Sequence, residues 1–489
     1  MTIDNIINKD LSNTLNENVF RQLNRDTIIF LSDESINGIK KYIENNHLKK
    51  TDVKELWKDL LIDSISFLKL NDKREKINTD TKDTIEHSDS DKFNNGFKLI
   101  RKLSSYGIDG LADYFDEFIE FESVLYGSDE YYRDHVDHVL NVWAIGLSLL
   151  NSQMENFKFS DKALYKDNNF SFEIEETDLF ITKGEIWAIW TIVALTHDLG
   201  YPIEKASKVN NKLKKILKHF GQINIQEFNY NFELFNSFLV EKFLNIVSSK
   251  PVNKNGKKYT IIQSKYKDKI SKSLEDNRHG VFSALLIFKT LTYFLETDYS
   301  YNQEDLSAED LRQFYIRKEI LRTISSHTSP KLYHLDLNTL SFLLILCDEL
   351  QEWGRPRFQD LKEGNIQGSE VPKIFIKKFE FNRNSENTEK FEGAISVKLE
   401  YKITDFDSKK DDYEKRIKDK FKMFHHLLRS AKDDKLRAFV FEWELEFNKN
   451  KVYNFIFDSN QDAYNVLKTP VFLISKTGKK EQENYLEIY

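Results

Sequence analysis

One cysteine occurs among the 489 residues. Cys347 therefore cannot take part in an intramolecular disulfide or a cysteine-built zinc knuckle, which fits a reducing compartment. The 6 Pro and 16 Gly leave few helix breakers, so long helices joined by polar loops are expected. Apolar runs such as Phe342–Cys347 are far too short to cross a bilayer. An excess of positive charge is missing as well: 72 basic residues stand against 79 acidic ones, so no global field holds nucleic acid by counterion release. The polar, acid-containing start Met1–Asp10 is unlike a signal peptide. A cytoplasmic protein with no membrane partner is expected. GxxxxGK[ST], HExxH, GxSxG and paired CxxC motifs are all absent, which leaves the chemistry to histidine and aspartate.

What is present suffices for a globular protein: 40% hydrophobic residues, with 38 Phe and 22 Tyr, supply a sizeable core. The length suits two or three domains. Residues 1–96 are expected to form a helical N-terminal region, with Leu56, Trp57, Leu60, Leu61, Ile65 and Leu68 at helical spacing. Its end, about 71–95, is almost wholly polar and is expected to be a linker or mobile loop. Residues 97–363 carry the strongest helical periodicities, at Val139–Leu150, Ile186–Leu195, Val281–Phe294, Ile316–Ser326 and Leu340–Leu350. Two insertions interrupt them, a strand excursion at about 157–181 and a Lys- and Asn-rich stretch at about 209–276. From 364 to 489 the pattern turns to period two at Ile374–Phe381, Ala394–Ile403, Ala438–Phe447 and Val452–Phe457, with a helix across Asp412–Ala431. That pattern predicts an α+β C-terminal domain. The fold class expected is thus mainly α.

The chain has 11 His, and five punctuate the predicted core helices. His135 and His138, three apart, open an apolar helix and can share a face. His197 and Asp198 are adjacent at the end of another, ahead of Gly200 and Pro202. A carboxylate there suffers desolvation unless it is paired or metal-bound. His279 precedes a third helix, His327 closes a fourth, and Asp348 ends a fifth. Taken singly, each residue also reads as an ordinary cap, boundary or packing group.

The order His, His-Asp, His, His, Asp, each element on its own helix, resembles the HD superfamily of metal-dependent phosphohydrolases across about Arg133 to Arg357. The two histidines between His-Asp and the last Asp resemble its two-metal, HD-GYP-like branch. The resemblance implies an all-helical HD core and a ligand set of His135, His197, Asp198, His279, His327 and Asp348, with Asp198 bridging two ions. It departs at Tyr201, where many relatives carry lysine; Lys205, a turn later, is the candidate substitute and is grouped with Asp198 and His138 as catalytic. His138 could replace His135 as ligand, protonate the leaving oxygen or pair with a carboxylate. Arg133, Arg278, Arg355 and Arg357 are the candidates for binding phosphate, against a solvated-turn reading of equal weight for the last two.

Imidazole and carboxylate without thiolate suit Mn, Fe, Co, Ni or Zn, so two divalent transition-metal ions are the expected cofactor. Between them a water would be activated to attack a phosphoester. The expected substrate is a small phosphorylated molecule, a nucleotide for preference, with cyclic nucleotide or dinucleotide phosphodiesterase slightly ahead of dNTP or alarmone hydrolase. A metal-dependent nuclease gripping single strands through Lys205–Lys218 and Lys250–Lys272 is the enzymatic alternative, and a nucleotide sensor with little turnover is the other. A homo-oligomer is compatible with all three.

Overall fold

The computed structural model describes residues 29–44, 50–78, 106–128, 135–153, 163–166, 169–174, 177–221, 237–255, 257–297, 305–329, 337, 339–352, 373–384, 387–401, 410–448, 451–459 and 472–473. They fall into two compact units. One takes the described residues within Leu23–Trp143 and Lys158–Leu332; the other takes those within Ala144–Phe157 and Tyr333–Tyr489. The described residues are mainly helical, with α+β structure toward the C-terminus. None of their helices is long and apolar enough to cross a membrane.

The first unit holds α1 (Asp33–Glu44), α2 (Lys50–Asn78), α3 (Ile108–Ser128) and the start of α4 (Val136–Gln153). A three-stranded antiparallel sheet follows: β1 (Ala163–Lys166), β2 (Asn169–Ile174) and β3 (Thr177–Thr182). After it come α5 (Lys183–Thr196), α6 (Tyr201–Leu217), α7 (Ser237–Ser248), the hairpin β4 (Ser249–Lys254) and β5 (Lys257–Ile262), and α8 (Ser264–Glu275). The last helices are α9 (His279–Thr290), the single turn α10 (Thr292–Leu295) and α11 (Ala308–Ser326). The expected strand excursion and helices are present. The insertion expected at 209–276 contains the end of α6, α7, the hairpin and α8. Residues 71–78, expected in the linker, instead continue α2. Lys73, Arg74, Glu75 and Lys76 are good helix formers, and no glycine or proline interrupts them. The remainder of that stretch, 79–95, lies outside the described residues.

Helix α5 is the centre of this unit: every residue from Gly184 to Thr196 is buried, and α2, α9 and α11 pack around it. A helix apolar on all sides has to be surrounded. Its N-terminus is closed by a capping box, with the Thr182 side chain accepting from Glu185 N–H and the Glu185 carboxylate accepting from Thr182. The other oxygen of Glu185 pairs with Arg312 of α11; both side chains are buried, so each charge needs the other. At the far end, the Leu195 carbonyl accepts from the Trp57 indole at 2.7 Å, satisfying a group that the ending helix leaves without an intrahelical donor. Trp57 comes from the α2 stripe Val53, Leu56, Trp57, Leu60, Leu61 and Leu68, all buried.

The second unit contains α12 (Leu340–Glu352), β6 (Lys373–Asn384), β7 (Asn387–Tyr401), α13 (Lys410–Lys435), β8 (Leu436–Phe447), β9 (Lys451–Asp458) and β10 (Phe472–Leu473). The sheet order is β10-β9-β8-β7-β6. Its neighbouring pairs are antiparallel except β7 and β8, which run parallel with Val397 opposite Trp443. Parallel neighbours need a crossover, and α13 is that crossover. Its buried residues Ile417, Phe421, Phe424 and Leu428 recur at helical spacing. Phe421 stacks on Phe455 at 5.2 Å, and Phe424 meets Phe441 and Trp443 at 5.0 and 4.9 Å. The period-two segments read from the sequence coincide with β6 to β9.

Candidate metal centre

Four histidines of the first unit surround the carboxylate of Asp198, and helix ends put them there. Helices α5 and α11 stop at His197 and His327, which are their C-caps. Each ring turns back so that Nδ1 bonds the carbonyl three residues earlier, Ala194 at 2.8 Å and Ile324 at 2.7 Å. A carbonyl only accepts, so Nδ1 carries the hydrogen and Nε2 keeps its lone pair. His279 opens α9 and has no such carbonyl behind it. Its Nδ1 bonds the Glu204 carboxylate at 2.7 Å instead, which leaves Nε2 turned toward Asp198. His138 lies in the first turn of α4 and is buried.

The carboxylate divides these rings between its two oxygens. His138 Nε2 and His197 Nε2 each lie 3.5 Å from Asp198 Oδ2. His279 Nε2 and His327 Nε2 lie 3.2 and 3.7 Å from Oδ1. His138, His197 and Asp198 offer ligand atoms all within 4.8 Å of one another, and so do Asp198, His279 and His327; either group could hold a metal ion. The spacing fits an ion: two donors bound at about 2.1 Å and about 90–120° apart are separated by roughly 3.0–3.6 Å. His327 Nε2 is buried and makes no hydrogen bond, a cost that coordination to an ion removes.

Electrostatics fit a cation as well. Burial pushes the Asp198 carboxyl up, but the surrounding imidazoles of His197, His279 and His327 outweigh it and hold the group well below the usual carboxylate range. Burial lowers His279, yet Asp198 and Glu204 carry it to about 9. Burial dominates at His327 and brings it down. Glu204 is raised by burial and lowered further by His279, to about 2. A retained carboxylate and a neutral His327 are the protonation states that divalent transition metals require, and His279, raised by its two carboxylates, would release its proton on binding an ion.

Two glycines make room for this arrangement. A Cβ on Gly200 would stand 2.3 Å from the His279 carbonyl oxygen and 2.7 Å from the Ser283 nitrogen. On Gly280 it would meet the Ile324 oxygen at 2.6 Å and the His327 ring at 2.7 Å. The close backbone passage at Gly200 is held by its N–H donating to Ser283 Oγ at 2.7 Å, and the Tyr114 hydroxyl donates to the Leu199 carbonyl.

His135 has different neighbours from His138. Its backbone N–H donates to Glu122 Oε1 at 2.8 Å, and its Nδ1 lies 3.3 Å from the same oxygen; Glu122 is fully buried. Its ring lies 4.1 Å from that of Tyr201, which in turn lies 5.2 Å from His279. Lys205 sits over the Tyr201 ring at 4.5 Å. Arg278 is the N-cap of α9, half-buried, with a buried Nε that makes no hydrogen bond. Asp348 belongs to α12 in the other unit and is half-buried there. Arg133, Arg355 and Arg357 lie outside the described residues.

Glu122, Glu204 and Ser283 were not singled out from the sequence. Glu204 alone had a signal, as a carboxylate one turn into the helix that follows His197-Asp198; the others depend on tertiary contact. Searches of protein-family models, curated proteins and solved structures find no match to this chain.

Proposed function

We propose that the chain is a metal-dependent phosphohydrolase of the HD type, acting on a nucleotide phosphoester. The observation that carries this reading is the division of the Asp198 carboxylate, with two imidazole Nε2 atoms facing each oxygen. One buried carboxylate between two imidazole pairs suits two ions: His138 and His197 on one side, His279 and His327 on the other, Asp198 shared. This reading gives the α4 ligand position to His138 in place of His135. Asp348 is retained as a further ligand because of its place in the ligand order of the sequence. Ions held by these groups would polarise a phosphoester and lower the pKa of a water at the site.

The remaining groups supply orientation and proton transfer. Glu122 holds the His135 ring, which makes His135 the proposed proton donor to the leaving oxygen, the role first considered for His138. The buried Nε of Arg278, next to His279, suits a phosphoryl oxygen. Tyr201, with Lys205 over it, lines the same side of the centre and is proposed to contact the leaving group. A cyclic nucleotide or dinucleotide is slightly preferred over a dNTP or alarmone.

The test is hydrolysis of cyclic mono- and dinucleotides, dNTPs, alarmones and single-stranded DNA with added Mn, beside Asp198→Ala. Release from one nucleotide class by the wild type and none by the variant is expected. Inactivity of both on every substrate contradicts the reading. One observation favours the nuclease alternative: α6 starts at Tyr201, carries Lys205 and the exposed Lys212 and Lys215, and is capped by the exposed Lys218. Activity on single strands that falls steeply with salt would select it.

A further inference from the structure

We infer that Glu204 is a positioning residue that determines whether the centre holds two ions or one. The inference rests on the metal-centre reading above and concerns the Oδ1 side of Asp198.

Of the three ligand histidines whose Nδ1 partner is identified, two use a carbonyl of their own helix. His197 and His327 stand at helix C-termini, where carbonyls three residues back point forward to meet them. Shifting or replacing a neighbouring side chain leaves those bonds intact. His279 stands at a helix N-terminus, where amide hydrogens are exposed and no helical carbonyl precedes it. It needs an acceptor from elsewhere in the fold, and Glu204 of α6 is that acceptor. The carboxylate takes two bonds from the same residue, Nδ1 at 2.7 Å and the backbone N–H at 3.2 Å. Ring orientation, tautomer and the first residue of α9 are thereby fixed together, and Nε2 is aimed at Asp198 Oδ1, 3.2 Å away.

A carboxylate behind a ligand imidazole also differs from a carbonyl in kind, because its negative charge makes the opposite nitrogen a better donor. The Oδ1 side has only His279, His327 and Asp198 among the described ligand atoms, so one misdirected imidazole removes a third of them. Without Glu204 the His279 ring is free to rotate and to present either nitrogen. The Oδ2 side, His138 and His197, makes no contact with Glu204 that would be lost.

The experiment is uptake of Mn by the full-length chain, stripped of metal, for wild type, Glu204→Gln and Glu204→Ala, read as ions per chain and dissociation constants. Far-UV circular dichroism accompanies each variant. The wild type is expected to take two ions. Glu204→Ala should keep one at unchanged affinity and bind the other about 100-fold more weakly. Glu204→Gln, whose amide oxygen still accepts from Nδ1–H, should lose about tenfold, a partial rescue that separates orientation from charge. Two ions at wild-type affinity in Glu204→Ala overturn the inference alone. Loss of both ions in a folded Glu204→Gln overturns it too, since the effect would not be confined to one side. A wild type that binds no ion overturns the metal-centre reading itself.

Discussion

Nε2 of His138 lies 3.5 Å from Oδ2 of Asp198, and this contact separates two histidines that the sequence presents as near-equivalents. Three residues along an α-helix return to within about 60° of the starting direction, so His135 and His138 look toward the same side. His138 is within the helix and faces the carboxylate. His135 lies one residue before α4 and is held by Glu122. Its proposed role in proton transfer follows from that difference.

The glycines beside the ligands lead to the first prediction. Gly200→Ala and Gly280→Ala force a Cβ against backbone at 2.3 and 2.6 Å, and neither backbone φ is positive, so the penalty is one of space. Each should cost about 1–3 kcal/mol and weaken metal uptake, measured by denaturant midpoint and metal content. Gly110→Ala is the control. Its Cβ would meet only the Thr290 methyl at 3.7 Å, so that variant should be as stable as the wild type or more stable, by up to about 1 kcal/mol.

The C-terminal sheet yields a second prediction. Lys398 bonds Glu400 at 2.6 Å and Glu446 at 2.7 Å, with Glu444 at 3.4 Å. Glu446 is 3% exposed, so Lys398→Met takes a positive charge away from a buried carboxylate and should destabilise the sheet by about 2 kcal/mol. Burial lowers the Lys398 pKa, but Glu400, Glu446 and Glu444 outweigh it and raise the group above its ordinary value of 10.5. A raised folded pKa contributes stability that is complete below the unfolded value and is lost above it. The gap between wild type and Lys398→Met should therefore be equal at pH 7 and pH 9 and should shrink as the pH passes about 10.5. A gap that closes already by pH 9 would refute the pairing. Thermal unfolding followed through the strand signal in circular dichroism measures it.

Cys347 gives the third. It is fully buried in α12, and burial, with a smaller effect from Asp348, pushes its thiol well above 9.0. Thiolate is the reactive form, so the native chain should resist alkylation at pH 8, and one thiol per chain should react in denaturant. Rapid labelling of the native protein would mean that α12 opens on the labelling timescale.

Much of this architecture was legible from residue patterns. Period two marked β6 to β9 because alternate residues are buried, as Phe439, Phe441, Trp443 and Leu445 are in β8, where Phe441 and Trp443 meet Phe424 of α13. The His197-Asp198 pair stood out because polar groups ending so apolar a helix as α5 need a reason. The end of α2 was not legible, because Asn71–Asn78 lacks an apolar stripe and its helical propensity carries no pattern. The partners of the ligands were hidden for a different reason. Glu122 is 13 residues from His135, Glu204 is 75 from His279 and Ser283 is 83 from Gly200, so these contacts are chosen by how helices pack. Local sequence does not encode which face of α6 meets α9.

The most direct test of the account is metal bound per chain in wild type, Asp198→Ala, His138→Ala and His135→Ala, all purified and reloaded identically. The account predicts two ions in the wild type, near-complete loss in Asp198→Ala, and loss of at least one ion in His138→Ala. His135→Ala should keep both ions while losing turnover. A wild type without metal, or a His135→Ala chain that loses its ions while His138→Ala retains them, would contradict the centre described here.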